Sequence, residues 1–180
     1  ILIRMQKSYD LIIFDCDGTL VDTEYLNNLA TCQILAEEGL PQYDMDYAFK
    51  HFVGIRFNET LQNIARETGY VFADDVRQRY VDRVAELAPE HFRTMDHAEE
   101  LVTEAQKHSK ICVASNGQRD NVIKSLGMGG LTTYFPEEHV FTAIQVENPK
   151  PAPDLFLLAT ESMDARTENT LVIEDSEAGV

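Results

Sequence analysis

Short apolar runs alternate with amphipathic stretches over much of the chain. Residues 9–14 form such a run and lead directly into an Asp-Cys-Asp-Gly segment, which is typical of a buried strand that ends at a turn. Similar runs predict further strands at residues 110–114, 140–143 and 170–173, and the apolar spacing predicts helices at residues 98–108, 118–126 and 153–163, with a glycine-rich loop at 127–130. Because strands that alternate with helices indicate a parallel sheet with helices on both faces, we predict an α/β fold.

The stretch between the first and second predicted strands has only helical patterns. Four of them follow one another, at residues 25–38, 44–52, 58–68 and 74–87, and each stops at glycine or proline. These are the residues at which helices commonly end. We therefore predict a helical domain at residues 22–91, inserted into a core domain that is formed by residues 1–21 and 92–180.

The last predicted strand lies only a few residues before the end of the sequence. A helix is expected to begin near Ser176 and to cover that strand, but few residues remain to form it. We therefore expect the C-terminal part of the core to be missing from this chain.

The composition is that of a globular protein, with 44% hydrophobic and 26% charged residues among 180. The 15 basic and 31 acidic residues give a formal net charge of −16. So acidic a surface is expected to repel nucleic acid and anionic membranes, because it lacks the clustered Lys and Arg that bind phosphate backbones. Nothing in the sequence indicates a dimer seam, and we expect a monomer.

The three cysteines are odd in number and show no C-x-x-C spacing, which is typical of reduced, buried thiols in a cytoplasmic protein. Cys16 lies between Asp15 and Asp17. Since side chains alternate along an extended segment, we expect Cys16 to point away from both aspartates and to be a buried thiol, not a reactive one.

Polar side chains follow each predicted strand at its carboxyl end. They are Asp15 and Asp17, Ser115 and Asn116, Glu147 and Lys150, and Glu174 and Asp175. In an open parallel sheet these ends meet at one edge, where ligands bind. Several carboxylates beside a lysine suit Mg²⁺ together with a phosphate group, and an aspartate can itself attack phosphorus. The sequence therefore predicts an Mg²⁺-dependent phosphoryl-transfer enzyme that acts on a small phosphorylated molecule.

Four segments of the sequence resemble the four motifs of the haloacid dehalogenase-like (HAD) hydrolase superfamily, in the same order. The run Asp-Cys-Asp-Gly-Thr-Leu-Val-Asp at residues 15–22 resembles the first motif. Ser115, Lys150 and the run Glu174-Asp175-Ser176 stand at the positions of the second, third and fourth. The resemblance implies a Rossmann-like core with strand order 3-2-1-4. It also implies that the helical insertion is a four-helix cap domain that closes over the substrate.

The resemblance implies a role for each motif residue. Asp15 would attack phosphorus and form an aspartyl-phosphate intermediate, while Asp17 would act first as general acid and then as general base. Mg²⁺ would be held by the carboxylate of Asp15, the backbone carbonyl of Asp17 and Asp175, and Glu174 would bind the ion or lie beside its ligands.

Further residues are expected to contact the substrate. Ser115, the backbone amide of Asn116 and Lys150 would bind the transferring phosphoryl oxygens, and Gly18 is also placed among the substrate-binding residues. The Ser-Asn-Gly segment at residues 115–117 is expected, in addition, to cap the helix that follows it.

In the insertion, the segment Gly54-Ile55-Arg56 resembles the cap loop of the sugar-phosphate phosphatases of this superfamily. Arg56 is therefore expected either to meet a carboxylate or hydroxyl of the substrate or to form an ordinary surface salt bridge. The β-phosphoglucomutase branch carries His where Asn27 stands and Arg where Phe57 stands, and both differences favour hydrolysis over mutase chemistry.

These features predict an Mg²⁺-dependent phosphatase of small phosphomonoesters, and of sugar or sugar-acid phosphates in particular. The presence of Asp17 argues against the dehalogenases and the phosphonate-cleaving members of the superfamily, which lack an acid there. Two alternatives stay open: a phosphomutase similar to β-phosphoglucomutase, and an inactive fragment that lacks the end of the core.

Overall fold

A computed structural model of the chain describes residues 9–176 and 179. It divides into two compact units. One takes in the described residues before Thr23 and from Arg93 onwards, and the other is Thr23–Phe92. The helix expected from Ser176 falls mostly on residues outside the described ones.

The described residues form helices and strands along both units. In chain order these are β1 (Leu11–Phe14), β2 (Val21–Asp22), α1 (Glu24–Glu37), α2 (Met45–His51), α3 (Phe57–Thr68), α4 (Val76–His91), β3 (Arg93–Thr94), α5 (Ala98–Ala105), β4 (Lys110–Ser115), α6 (Arg119–Met128), β5 (Val140–Thr142), α7 (Asp154–Ser162) and β6 (Thr170–Ile173). In this described part of the chain, none of the helices is both long and apolar enough to span a membrane.

The main sheet is parallel and has the strand order β5-β4-β1-β6. This confirms the predicted α/β class and the predicted order 3-2-1-4. Each residue of β1 is at most 1% exposed, because this central strand is covered on both faces. Its register pairs Phe14 with Val113 of β4 and with Ile173 of β6. Asp15 and Glu174, which directly follow β1 and β6, therefore lie side by side at the carboxyl edge of the sheet.

One buried cluster of this unit lies between the sheet and α7. Its buried members come from three strands and the helix, and they are Leu11, Ile13, Cys112, Ala114, Phe141, Leu155, Ala159 and Met163. A second, two-residue antiparallel ladder joins β2 to β3 through Val21–Thr94 and Asp22–Arg93. The sequence did not predict this ladder, since two residues are too short to show an alternating pattern.

The other unit, Thr23–Phe92, is described throughout and consists of helices α1–α4. α4 packs against α1, and the two helices are also joined by ion pairs of Arg79 and Arg83 with Glu37. A buried cluster around Leu35 and Ile64 contains Cys32, Tyr43, Ala48 and Phe52. The helix pattern predicted for this stretch is therefore present, with ends shifted by a few residues.

Two helices continue beyond the residue at which they were predicted to stop. α4 runs through Pro89 to His91, and α6 runs through Gly127 to Met128. Proline removes one backbone donor and glycine costs about 1 kcal/mol relative to alanine, but packing can outweigh such penalties. Ala88 is buried and the ring of His91 contacts Tyr25 of α1, so the last turn of α4 is held by tertiary contacts.

Leu35→Ala is expected to lower the free energy of unfolding by about 2–5 kcal/mol, because it leaves a cavity in a packed cluster. Leu35 is 0% exposed. Urea denaturation followed by circular dichroism measures the change. Val71→Ala is the control: Val71 is 87% exposed, and its truncation should change stability by less than about 0.5 kcal/mol. Equal effects of the two substitutions would contradict the packing described for this unit.

Candidate active site

Asp15 is the first residue beyond the central strand, and it is 7% exposed. Its backbone N–H donates to the carbonyl of Ile173 in β6, which extends the ladder by one residue. The ammonium group of Lys150 lies 2.6 Å from Asp15 Oδ1 and 2.6 Å from Glu174 Oε2. The Lys150 side chain is 4% exposed. One buried cation is thus shared between two carboxylates from neighbouring strands.

The two carboxylates respond differently to this environment. Burial raises the pKa of Asp15 to about 6, although Lys150 acts in the opposite direction. Burial also acts to raise the pKa of Glu174, but hydrogen bonds from Lys150 and Ser176 outweigh it and the pKa is lowered. Glu174 is therefore the partner that stays ionised beside the lysine, whereas Asp15 is held closer to its protonated form.

Asp175 completes an acidic group with Asp15 and Glu174, whose carboxylate oxygens lie within 4.8 Å of one another. An all-oxygen set is what Mg²⁺ prefers. In Glu174, Oε2 accepts from Lys150 and Oε1 accepts from Ser176, so both of its oxygens are already engaged. The donor set fits Mg²⁺, and it favours Asp15 and Asp175 over Glu174 as direct ligands.

Asp17 and Ser115 both lie close to Gly117. A side chain at position 117 would begin 3.3 Å from Ser115 Oγ and 3.7 Å from Asp17 Oδ2. Ser115 is 2% exposed, and its Oγ accepts from the backbone N–H of Gly117 at 3.0 Å. Because the oxygen is used as an acceptor, the hydroxyl proton is left to donate to another group. The structure therefore brings together the predicted acid/base residue and the predicted phosphate-binding hydroxyl.

Gly18 lies against Asp175. Its backbone has a φ of +85°, and a Cβ at this position would lie 2.2 Å from Asp175 Oδ2. Only glycine allows both the left-handed backbone and this approach. The sequence placed Gly18 among the substrate-binding residues; its observed neighbour is a carboxylate of the acidic group.

The side chain of Asn116 makes two hydrogen bonds to the backbone of Lys150. Its Nδ2 donates to the carbonyl of Lys150 at 3.0 Å, and its Oδ1 accepts from the backbone N–H of Lys150 at 3.1 Å. The expectation that residues 115–117 cap α6 is wrong, because the residue at the N-cap is Gln118 and its side chain makes no capping bond. Ser115 instead bonds within its own turn, and the Asn116 amide is committed to the Lys150 loop.

Cys16 is 0% exposed, as predicted, and burial raises the pKa of its thiol well above the usual range. Cys32 and Cys112 are likewise buried free thiols. Burial raises the pKa of Cys32 to about 11 and that of Cys112 to about 12. Glu147, which the sequence placed at the same edge of the sheet, is exposed and does not belong to the acidic group of described residues.

In the helical unit, Arg56 is exposed at the N-cap of α3. The preceding loop is held by a hydrogen bond of 2.6 Å from the backbone N–H of Gly54 to Glu24 Oε1. Tyr80 contacts both Asn27 and Phe57, the two residues that distinguish this sequence from the β-phosphoglucomutase branch. Its hydroxyl donates to Asn27 Oδ1 at 3.2 Å, and its ring stacks on the Phe57 ring with 3.9 Å between the ring centres. Sequence reasoning missed Tyr80, which no motif marks.

Taken with the parallel sheet, this arrangement places the protein among the α/β enzymes whose reactive groups gather at the carboxyl ends of the strands. The family model of the haloacid dehalogenase-like hydrolases matches residues 12–180. The chain therefore belongs to this family, and it is an enzyme of the hydrolase class.

The chain is similar to several characterised proteins and solved structures of this kind. It is 30% identical over 171 residues to 6-phosphogluconate phosphatase of Escherichia coli (strain K12), which covers 94% of this chain and 76% of the relative. It is 29% identical to the phosphorylated carbohydrates phosphatase of Thermotoga maritima, over 95% of this chain and 78% of the relative. A HAD family hydrolase from Deinococcus radiodurans R1, solved with bound phosphate and sodium, is 28% identical with a TM-score of 0.78, over 96% of this chain and 75% of that one.

Proposed function

We propose that this protein is an Mg²⁺-dependent phosphatase that hydrolyses small phosphomonoesters through an aspartyl-phosphate on Asp15. The observation that carries the proposal is the buried Asp15 at the sheet edge, next to Lys150 and to the carboxylates of Glu174 and Asp175. We also propose that the α/β unit is the catalytic core and that Thr23–Phe92 is its cap domain.

In the first step, a carboxylate oxygen of Asp15 attacks phosphorus and the bond from phosphorus to the ester oxygen breaks. Asp17 protonates that oxygen as it leaves. In the second step Asp17 takes a proton from water, the water oxygen attacks phosphorus, and the aspartyl-phosphate bond breaks. Inorganic phosphate leaves and the Asp15 carboxylate is restored. Asp17 Oδ2 and Ser115 Oγ both lie within 4 Å of the position that a Cβ of residue 117 would take, which supports this role because Asp17 would then act near a hydroxyl that can hold the phosphoryl group.

The metal would be held by Asp15 and Asp175, together with the backbone carbonyl of Asp17. When bound, Mg²⁺ neutralises negative charge on the transferring phosphoryl group. Glu174 would act beside this site: its ionised carboxylate balances the charge of Lys150, which would otherwise be more poorly compensated in a buried site. Lys150 and the Ser115 hydroxyl would then bind phosphoryl oxygens and reduce their repulsion from Asp15.

The proposed substrates are sugar and sugar-acid phosphates. The names of two relatives, a 6-phosphogluconate phosphatase and a phosphorylated carbohydrates phosphatase, support this class. Asn27 and Phe57 support hydrolysis over mutase chemistry, because neither residue has a cationic side chain that could hold a second phosphate. Both contact Tyr80 instead.

The experiment is a measurement of phosphate release from a panel of esters, with Mg²⁺ and with EDTA. The panel contains 6-phosphogluconate, several hexose phosphates, phosphoglycolate and nucleotides. Release that requires Mg²⁺ and is fastest with the sugar derivatives is the expected result. Isomerisation of a sugar phosphate without release would support the phosphomutase alternative, and folded protein that acts on no ester would overturn the proposal.

Binding of Mg²⁺ is expected to weaken as the pH falls below about 6. The pKa of Asp15 is raised to about 6 by burial, so above this pH the carboxylate is already ionised and below it the metal must displace a proton. Each further pH unit should lower the apparent affinity by up to about tenfold. Isothermal titration calorimetry on either side of this pH measures the change. The pH dependence should flatten in Asp15→Asn, and an affinity independent of pH in the unmodified protein would contradict the assignment.

A further inference from the structure

The segment that carries Lys150 is a turn closed by one backbone hydrogen bond, from the N–H of Ala152 to the carbonyl of Pro149 at 3.0 Å. Lys150 stands between Pro149 and Pro151, and proline has no backbone N–H. In residues 149–151, all of which the structure describes, the N–H of Lys150 is therefore the one backbone donor. That donor is taken by Asn116 Oδ1 at 3.1 Å.

The same side chain also holds the carbonyl of Lys150, through Nδ2 at 3.0 Å. The two bonds fix which end of the amide faces which group, because the N–H can only donate and the carbonyl can only accept. Asn116 directly follows Ser115, the last residue of β4, so the bonds tie the Lys150 backbone to the rigid end of a central strand. Both bonds are partly buried and therefore little weakened by competition with water.

The position of the Lys150 backbone determines where the ammonium group at the end of its side chain lies. The Lys150 ammonium reaches Asp15 and Glu174 at 2.6 Å each, and it lies 5.0 Å from the centre of the Phe156 ring. A lysine side chain has a flexible four-carbon stem, so its ammonium is well placed only when the backbone beneath it is fixed. A displacement of about 1 Å in such a group can cost about 100-fold in rate.

We propose that the side chain of Asn116 is a positioning residue that fixes the Lys150 backbone and thereby sets the ammonium between Asp15 and Glu174. The part of this proposal that concerns rate rests on the proposed phosphatase function, whereas the part that concerns geometry does not. The role differs from the backbone contact to phosphate expected for Asn116, because it uses both ends of the side-chain amide and acts through Lys150.

The test uses the full chain labelled with ¹⁵N-lysine and two substitutions at position 116. Asn116→Ala removes both bonds, and exchange of the Lys150 amide proton should accelerate by about tenfold or more while the fold is retained. Its kcat for phosphate release should fall by about 100-fold, with a smaller change in KM. Asn116→Asp keeps an oxygen that can accept from the Lys150 N–H, so it should retain more of the amide protection and more of the rate.

Asn148→Ala is the matched control, since Asn148 lies in the same loop but donates to Asp154 Oδ2 instead of the Lys150 backbone. It should leave the exchange of the Lys150 amide unchanged. Unchanged exchange in Asn116→Ala would overturn the proposal, and so would faster exchange with an unaltered kcat. If the unmodified protein releases phosphate from no ester, the proposed function has failed, and amide exchange alone still decides whether Asn116 holds Lys150.

Discussion

Asp15→Asn is expected to reduce the rate of phosphate release by about 10⁴-fold or more, the size of loss seen when an enzyme nucleophile is removed. The neutral amide is a poor nucleophile and a weaker Mg²⁺ ligand than a carboxylate, so the substitution acts on both proposed roles of Asp15 at once. Initial rates at saturating Mg²⁺ and substrate measure the loss. Circular dichroism and thermal unfolding establish that the substituted protein is folded.

Asp164→Asn makes the same chemical change on a fully exposed side chain that does not belong to the acidic group, and it should leave the rate unaltered. Asp17→Asn separates the two steps of the reaction. With p-nitrophenyl phosphate, whose leaving group needs no protonation, this variant should release one equivalent of nitrophenol per enzyme and then turn over slowly. Retention of substantial activity in Asp15→Asn would rule out Asp15 as the nucleophile.

Much of the α/β unit could be predicted from the sequence, because β1 is buried on both faces and therefore has an unbroken apolar run. The alternation of strands and helices indicates a parallel sheet, whereas the order of the strands beside β1 was implied by the resemblance to the superfamily. Once the strands are placed, the carboxyl edge is placed as well, and Asp15, Ser115 and Glu174 necessarily meet there. Their roles in catalysis are still predictions, which substitution of each residue tests.

Contacts between distant segments could not be predicted in the same way. Nothing in the local pattern indicates that the amide of Asn116 holds the Lys150 backbone, or that Gly18 lies against Asp175. Helix α4 passes through Pro89 because its last turn packs against α1, and a local rule for proline takes no account of that packing. Hydrophobic periodicity indicates which side of a helix or strand is buried, but it does not indicate which polar groups from distant segments its side chains contact.

The net charge of −16 would be reconciled with the proposed anionic substrate by the local arrangement of charges. Lys150 lies in the low-dielectric interior, where its charge acts more strongly on neighbouring groups than a surface lysine would. Glu174 partly offsets the cost of burying that charge, and the acidic group would supply the proposed site for a divalent cation. Charge on the remaining surface is screened by salt over about 10 Å and has little effect at this site.

Gly18→Ala is expected to raise the Mg²⁺ concentration needed for half-maximal activity by about tenfold or more, the loss that is typical when a residue that positions a metal ligand is changed. The new Cβ would lie 2.2 Å from Asp175 Oδ2, so the exposed Asp175 side chain must move away from its position beside Asp15. The left-handed backbone at position 18 adds a cost in stability of about 1–2 kcal/mol. Activity measured over a range of Mg²⁺ concentrations reports the first effect, and urea denaturation reports the second.

Gly130→Ala is a control that separates the displacement of Asp175 from the strain of a left-handed backbone. Gly130 lies in the same unit with a φ of +70°, but a Cβ there meets no atom within 4 Å. Its substitution should therefore cause a similar loss of stability, about 1–2 kcal/mol, without any change in the Mg²⁺ dependence. If Gly18→Ala lost stability but kept the Mg²⁺ dependence of the unmodified protein, Asp175 would not be a ligand. If both effects appear in Gly18→Ala and only the loss of stability appears in Gly130→Ala, the close approach of Gly18 is what leaves room for Asp175 at the metal.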